Sequence, residues 1–447
     1  MNVVFVIAAA VLIAYVIFRP LDFFSVGAVC LVIYNYHCAT GELYISSKVA
    51  GVGHLYDGQV LPQVYFVVLT QIILLLAMMI RYDHTCTVQL RSGGDRDFYS
   101  GKDLQFLFTV LGFISMALIV SNIIKIGVQN LSAPKSEVWS KTNGLYAVGI
   151  WMALAVFTYC IRKKQFRLLL LSLPQILITL YIGSRAFFAV LCIVLLLHLS
   201  NIGKFNLKRN LRVYLLGAVM LLVIMVYKKI FLAVKAGDFA QIIETLTDPD
   251  TYNWVMKWGE PNIVLSNFNY IVEKGIHLTA GDIGIRLAGI IPSLNDFLDI
   301  EGTQLMSDIL RTEMQATYGL ASNIWGEFYA AGGFPCIFIM YYIWLKLLSL
   351  GNQLLHDDDW KSYFLMPLFA YYGYYIHRMD FAKVIGHGKM VILSMLFFFM
   401  LGAILKRRKF MRLGSGIRIR YKWKTAVGMR TVKRKRKTEA VFGADRN

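Results

Sequence analysis

The chain has 447 residues, of which 57% are hydrophobic and 16% are charged, and its formal net charge is +19. Soluble domains carry charge on about a quarter of their residues, so this composition excludes an ordinary soluble enzyme and indicates a membrane protein. From Lys406 to the end, 16 Lys and Arg residues stand against Glu439 and Asp445, so this tail alone carries +14 of the charge. We expect it to be a cytoplasmic anchor (residues 406–447) that contacts anionic membrane lipid, not nucleic acid.

Apolar runs recur from Val3 to Leu405, and each is about as long as a helix that crosses roughly 30 Å of hydrocarbon. They predict an all-α polytopic membrane protein with about eleven transmembrane helices, in a range of about ten to twelve. Residues 1–227 would form a first bundle of about eight helices, and residues 324–405 the last three. The predicted spans are 3–18, 23–39, 63–80, 104–121, 144–161, 168–183, 186–200, 213–227, 324–345, 363–376 and 389–405.

The sixth and seventh spans are separated only by Gly183-Ser184-Arg185. As one helix, residues 168–200 would be about 50 Å long, which is too long for a single crossing. Both flanks are basic, and both can be cytoplasmic only if the chain turns back at this tripeptide. We therefore predict a tight hairpin, a periplasmic N-terminus and a cytoplasmic C-terminus.

Residues 228–323 are predicted to form one long extracytoplasmic loop, and loops of this length in a compact fold are usually functional. Glu260-Pro261 is typical of a helix start. Val264, Phe268 and Ile271 follow at the spacing of one apolar helix face. We expect an amphipathic helix that lies against the membrane or the bundle.

Placing an ionisable side chain near a bilayer costs free energy, so each such residue calls for a functional explanation. The main candidates here are cationic side chains. An arginine binds a diphosphate bidentately and stays charged. The alternative for each of these residues is that it lies at the membrane interface and contacts only lipid headgroups. Arg185 is the strongest candidate, because Gly and Ser precede it between two apolar helices. The candidate diphosphate-binding residues are Arg185, Lys228, Lys229, Arg286, Arg311 and Arg378.

Glu327 is the main acidic candidate, and Asn323 lies four residues before it on the same helix face. A carboxylate there would bind a sugar hydroxyl or act as a general base, or else it would pair structurally with one of the arginines. The sequence leaves both readings open. His377 and Asp380 are possible acid/base residues, or simply loop side chains with satisfied hydrogen bonds, and Glu260 is a weaker candidate in the loop.

Metal and nucleotide chemistry are not indicated. The six cysteines show no C-x-x-C motif and no His at metal-ligand spacing. Asp248-Pro249-Asp250 is more typical of a turn or helix cap than of a metal site. No phosphate-binding loop motif occurs. We expect no metal and no cofactor.

The ordered set of Gly183-Ser184-Arg185, Ile290-Ile291-Pro292-Ser293 and Trp325-Gly326-Glu327 around a long loop resembles the bacterial O-antigen and capsule repeat-unit polymerases (Wzy-type). The enterobacterial common antigen polymerase has a related pattern. The likeness covers mainly residues 175–400. It implies a GT-C-like membrane glycosyltransferase in the bacterial inner membrane.

The resemblance also implies a reaction. A glycan on undecaprenyl diphosphate would be the donor, and a single lipid-linked repeat unit the acceptor, whose terminal hydroxyl attacks the anomeric carbon of the donor. Arg185 and the loop arginines would hold the diphosphate, and Glu327 would engage the acceptor. Implied partners are the lipid-linked oligosaccharide, membrane lipid, a chain-length regulator and a flippase.

Two other functions stay open. An O-antigen ligase would move the glycan to the lipid A core and would share the loop and the arginines. A flippase of the lipid-linked oligosaccharide would be expected to show internal repeats and no extended outer loop, and the sequence shows no repeat.

Overall fold

The structure is a computed structural model that describes residues 1–46, 54–85, 99, 101–133, 135–201, 205–257, 259–289, 291, 305–316 and 320–416. Ile290, Pro292 and Ser293 of the predicted motif lie outside these ranges, as does most of the basic tail. Residues Met1–Gly402 form one compact unit, and residues Ala403–Asn447 are a second unit. The site described below lies entirely within the first.

Helices dominate the described residues. Their bounds are α1 (Asn2–Ile17), α2 (Phe23–Tyr34), α3 (Pro62–Thr85), α4 (Gly101–Ile126), α5 (Lys135–Ser140), α6 (Gly144–Lys163), α7 (Leu169–Tyr181), α8 (Ala186–Ser200), α9 (Leu207–Ala236), α10 (Phe239–Thr247), α11 (Pro249–Lys257), α12 (Glu260–Lys274), α13 (Ala280–Ala288), α14 (Met306–Glu313), α15 (Ile324–Leu354), α16 (Trp360–Tyr375) and α17 (Phe381–Gly416). Short 3₁₀ helices connect several of them, including Ile376–Arg378 after α16.

Six helices of the described part are long and apolar enough to cross a membrane, namely α3, α4, α6, α9, α15 and the stretch Phe381–Lys406 of α17. Shorter apolar helices include α1, α2 and α8. The predicted spans overlap α1–α4, α6–α9 and α15–α17. The chain is therefore a mostly helical membrane protein with several membrane-spanning helices.

The predicted turn at Gly183 separates α7 from α8. Gly183 has a φ of +99°, which residues with a Cβ rarely adopt. The Ser184 amide donates a hydrogen bond to the Thr179 carbonyl at 2.9 Å, so the end of α7 is capped. Helix α8 begins one residue after Arg185, and the turn thus fixes this arginine at a helix N-terminus.

Helix α12 is the amphipathic helix predicted in the loop, and Val264, Phe268 and Ile271 are all buried. It carries a short antiparallel hairpin of β1 (Glu42–Ser46) and β2 (His54–Gln59), which the sequence analysis did not predict. An isolated hairpin is only marginally stable. Asn262 and Asn269 support it by donating hydrogen bonds to the Tyr44 and Gln59 carbonyls, at 2.7 and 3.0 Å.

Helix α15 is interrupted at Gly332 and Gly333, where the backbone leaves helical geometry and Gly333 has a φ of +64°. Such breaks are tolerated in membrane helices where neighbours satisfy the freed backbone groups. Here the Leu278 amide, just after α12, donates a hydrogen bond to the Ala330 carbonyl at 2.8 Å. The N-terminal piece of α15 is therefore a separate short helix attached to α12.

Gly183→Ala should lower the thermal stability of the protein. A Cβ at this position would meet the Phe231 ring at 2.9 Å, in addition to the strain of the positive φ. We expect the free energy of unfolding to fall by about 1–3 kcal/mol. The control is Gly386→Ala in α17, where a Cβ meets nothing within 4 Å and should be neutral or slightly stabilising. Equal melting temperatures for the two variants would contradict this account of the turn.

Candidate anion-binding site

Two guanidinium groups converge on a single carboxylate, that of Glu260. Arg185 Nη2 donates a hydrogen bond to Glu260 Oε2 at 2.8 Å, and Arg378 forms an ion pair with Oε1. The Tyr34 hydroxyl lies 3.4 Å from Oε1. These partners come from the start of α8, the 3₁₀ helix after α16 and the end of α2. Glu260 is the first residue of α12, where the helix dipole also favours a negative charge.

The surroundings of Glu260 are strongly positive. Burial alone would raise the pKa of this carboxyl, but Arg378 and Arg185, followed by Lys228 and Lys135, bring the pKa below its ordinary value. Four cationic groups therefore act on this one carboxylate. A small open cavity of about 40 Å³ is lined by Arg185, Lys228 and Glu260. This arrangement favours an anion with more negative charge than one carboxylate can supply.

The two arginines are held in place by further contacts. Arg185 Nη1 donates a second hydrogen bond to the Ile224 carbonyl of α9 at 2.9 Å. The guanidinium carbon of Arg378 lies 5.2 Å from the centre of the Tyr375 ring, within the range of a cation–π interaction. Both side chains are largely buried, with 16% and 25% of their surface exposed. Because they are fixed before any ligand arrives, an anion binds them with little loss of side-chain entropy.

Lys135 in α5 is a member of this cluster that the sequence analysis missed. Its side chain is accessible to solvent, yet the pKa of its amine is lowered to about 8. The first cause is desolvation, and the next are the positive charges of Arg378 and Arg185.

Two lysines near the C-terminal end of α9, Lys228 and Lys229, both lie over the ring of Trp254. Their amines are 5.2 and 4.5 Å from the ring centre. Lys228 also lines the cavity next to Arg185, whereas Lys229 does not. The structure therefore brings together three of the predicted cations, Arg185, Lys228 and Arg378, around Glu260, and the first two of them also line the cavity.

Arg286 and Glu327 form a second ion pair, fully buried, with 1% and 0% of their side chains exposed. Glu327 Oε2 also accepts a hydrogen bond from the Phe381 amide at 2.8 Å. Asn323 caps α15 by accepting from the Trp325 amide at 2.9 Å. This geometry is the structural pairing that the sequence had left open for Glu327. Its contact with an acceptor sugar stays a prediction, and it would require the pair with Arg286 to open.

The remaining candidates lie apart from the cluster or have other partners. His377 Nδ1 accepts a hydrogen bond from Trp325 Nε1 at 2.9 Å, and burial lowers its pKa to about 3, so it is neutral near pH 7. Asp380 instead accepts from the Ser307 amide at 3.0 Å and pairs with Lys383. Arg311 is half exposed, and Asp308 on its own helix lies 3.8 Å away.

Within the residues that the structure describes, no group of three or more His, Cys, Asp or Glu side chains is arranged to hold a metal ion. Comparisons of the chain with protein-family models, with curated proteins and with solved structures found no match. The geometry and charge of the cluster around Glu260 are therefore the basis for a functional assignment.

Glu260→Gln should destabilise the protein, because Arg185 and Arg378 would share a buried environment without their counter-charge. We expect the free energy of unfolding to fall by about 2 kcal/mol, measured by thermal unfolding in detergent. The control is Glu137→Gln, which removes an exposed pair with Lys141 at 2.9 Å and should change stability by less than about 0.5 kcal/mol. If Glu260→Gln were as mild as the control, Glu260 would not hold the cluster together.

Proposed function

We propose that the protein is a membrane glycosyltransferase that polymerises oligosaccharide repeat units carried on undecaprenyl diphosphate. The observation that supports the proposal is the convergence of Arg185 and Arg378 on one buried carboxylate, with Lys228 and Lys135 around it. Paired guanidinium groups match the oxygens of a diphosphate in both charge and geometry. In the absence of substrate, Glu260 occupies the position of that anion.

The diphosphate would displace Glu260 from part of its contacts. A diphosphate offers more negative charge and more acceptor oxygens than one carboxylate, so it competes effectively for the same two guanidinium groups. Because four cationic groups surround one carboxylate, the ligand can bind while Glu260 keeps part of its contacts. Glu260 would then orient the arginines and would not act as the base, since its lowered pKa makes it a weak proton acceptor.

The reaction would be a displacement at the anomeric carbon of the donor sugar. The acceptor hydroxyl oxygen forms the new bond to this carbon, and the bond from the carbon to the diphosphate oxygen breaks with its electron pair. The hydroxyl proton passes to a carboxylate or to water. Arginines fixed beside the leaving oxygen stabilise the charge that develops on it, and no metal ion is required for this role.

The finer topology belongs to the same proposal. About eleven spans, a GT-C-like arrangement and a location in the bacterial inner membrane, with the N-terminus and residues 228–323 on the periplasmic side, would place the cationic cluster where lipid-linked repeat units are polymerised. It is supported by the six apolar helices and by the further helices at the other predicted spans.

Arg185→Ala should abolish polymerisation in a strain whose surface polysaccharide depends on this protein. Loss of one preorganised cation at the leaving group should slow transfer by about a hundredfold or more. Protein level should stay normal, because Arg378 still pairs with Glu260. Gel analysis should then show lipopolysaccharide with a single repeat unit.

Arg212→Ala is the matched control, because this arginine is exposed on α9 and does not line the cavity beside Glu260. It should give normal ladders of long chains. Long ladders in Arg185→Ala would remove Arg185 from the site. Polymer that accumulates on the lipid carrier without reaching the lipid A core would instead indicate a ligase.

Diphosphate binding should weaken as the pH rises from 7 to 9, because Lys135, with a pKa of about 8, loses its positive charge over this range. Lys135→Arg keeps the charge and should bind about threefold to tenfold more tightly than the wild type at pH 9, but equally at pH 7. Titration calorimetry with inorganic diphosphate measures this, and the comparison of the two proteins cancels the ionisation of diphosphate itself. Identical pH profiles would exclude Lys135 from the site.

A further inference from the structure

A large apolar cavity runs beside the cationic cluster. It has a volume of about 370 Å³, and it lies between α1, α2, α8 and α9. Its walls are almost entirely aliphatic, with residues such as Ile13, Val29, Ala189 and Leu196. Helix α9 has little of its surface buried, so the cavity lies next to the lipid-exposed side of the bundle.

The apolar cavity adjoins the cationic one, because several side chains line both of them. Cys30, Ile33, Leu221, Ile224 and Tyr374 line both cavities. Ile224 also accepts the hydrogen bond from Arg185 through its carbonyl, so the guanidinium marks the boundary between the two. An elongated ligand that enters here would meet charge at one end and hydrocarbon along the rest of its length.

We propose that the apolar cavity binds the first part of the hydrocarbon chain of a lipid whose diphosphate headgroup lies at Arg185 and Lys228. The proposal rests on the proposed function for the identity of the headgroup. Along α2 the cavity extends from Ser25 to Ile33, which corresponds to about 12 Å of helix. This length holds only the first isoprene units, and the remainder of a long chain would lie in the bilayer.

The cavity adds selectivity because head and chain bind together. A chain gains little hydrophobic free energy on moving from the bilayer to a protein groove. The headgroup interaction, however, holds the beginning of the chain beside the cavity at a high effective concentration. Close packing there then distinguishes the single polyprenyl chain of this ligand from the paired acyl chains of a phospholipid.

The test uses the purified full-length protein in detergent and two soluble probes, farnesyl diphosphate and inorganic diphosphate. The wild type should bind farnesyl diphosphate about tenfold more tightly than inorganic diphosphate, or better. Ala218→Trp fills the cavity from α9 and should bring the two affinities to within about twofold without changing the affinity for inorganic diphosphate. The control is Val219→Trp, since this residue is 52% exposed and lines neither cavity.

A preference for farnesyl diphosphate that survives Ala218→Trp would overturn the proposal, as would an equal loss in Val219→Trp. Displacement of the farnesyl probe by an equal concentration of phosphatidylglycerol would also overturn it, because the cavity would then hold bulk lipid. The proposed function fails separately. If chain-dependent binding is observed but a strain that lacks the protein still makes long polysaccharide, the lipid site stands and the glycosyltransferase assignment falls.

Discussion

A carboxylate among apolar helices is tolerated only if opposite charges and hydrogen bonds replace the water it has lost. Glu260 meets this condition through Arg185, Arg378 and Tyr34, which are contributed by three distant parts of the chain. The same contacts attach the first turn of α12 to the bundle. The position and the charge of the candidate site therefore depend on these contacts of Glu260.

Helix α12 organises the rest of the region in the same way. Its start is fixed by the ion pairs of Glu260, and its polar face holds the β hairpin through Asn262 and Asn269. Just beyond its end, the Leu278 amide donates a hydrogen bond to the Ala330 carbonyl of the interrupted helix α15. The Arg286–Glu327 pair then joins α13 to the N-terminal piece of α15. Buried polar contacts thus attach this segment, which the sequence predicts as a loop, to the helix bundle.

The sequence predicted the long apolar helices and the turn at Gly183, because long apolar runs and a Gly-Ser-Arg break are local signals. It also predicted α12 from Glu260-Pro261 and the spacing of Val264, Phe268 and Ile271. It ranked Glu260 as a weak candidate and missed Lys135, because their importance depends on which distant cations approach them. The partner of Glu327 was left open for the same reason, since pairing with Arg286 is a contact across the fold.

The most direct measurement is an experimental structure of the protein with undecaprenyl diphosphate. The account predicts the two phosphorus atoms between the guanidinium groups of Arg185 and Arg378, the first part of the chain between α2 and α9, and a Glu260 carboxylate that has given up at least one of its arginine contacts. A diphosphate bound elsewhere, with both ion pairs of Glu260 intact, would contradict the central claim that this cluster is the anion site.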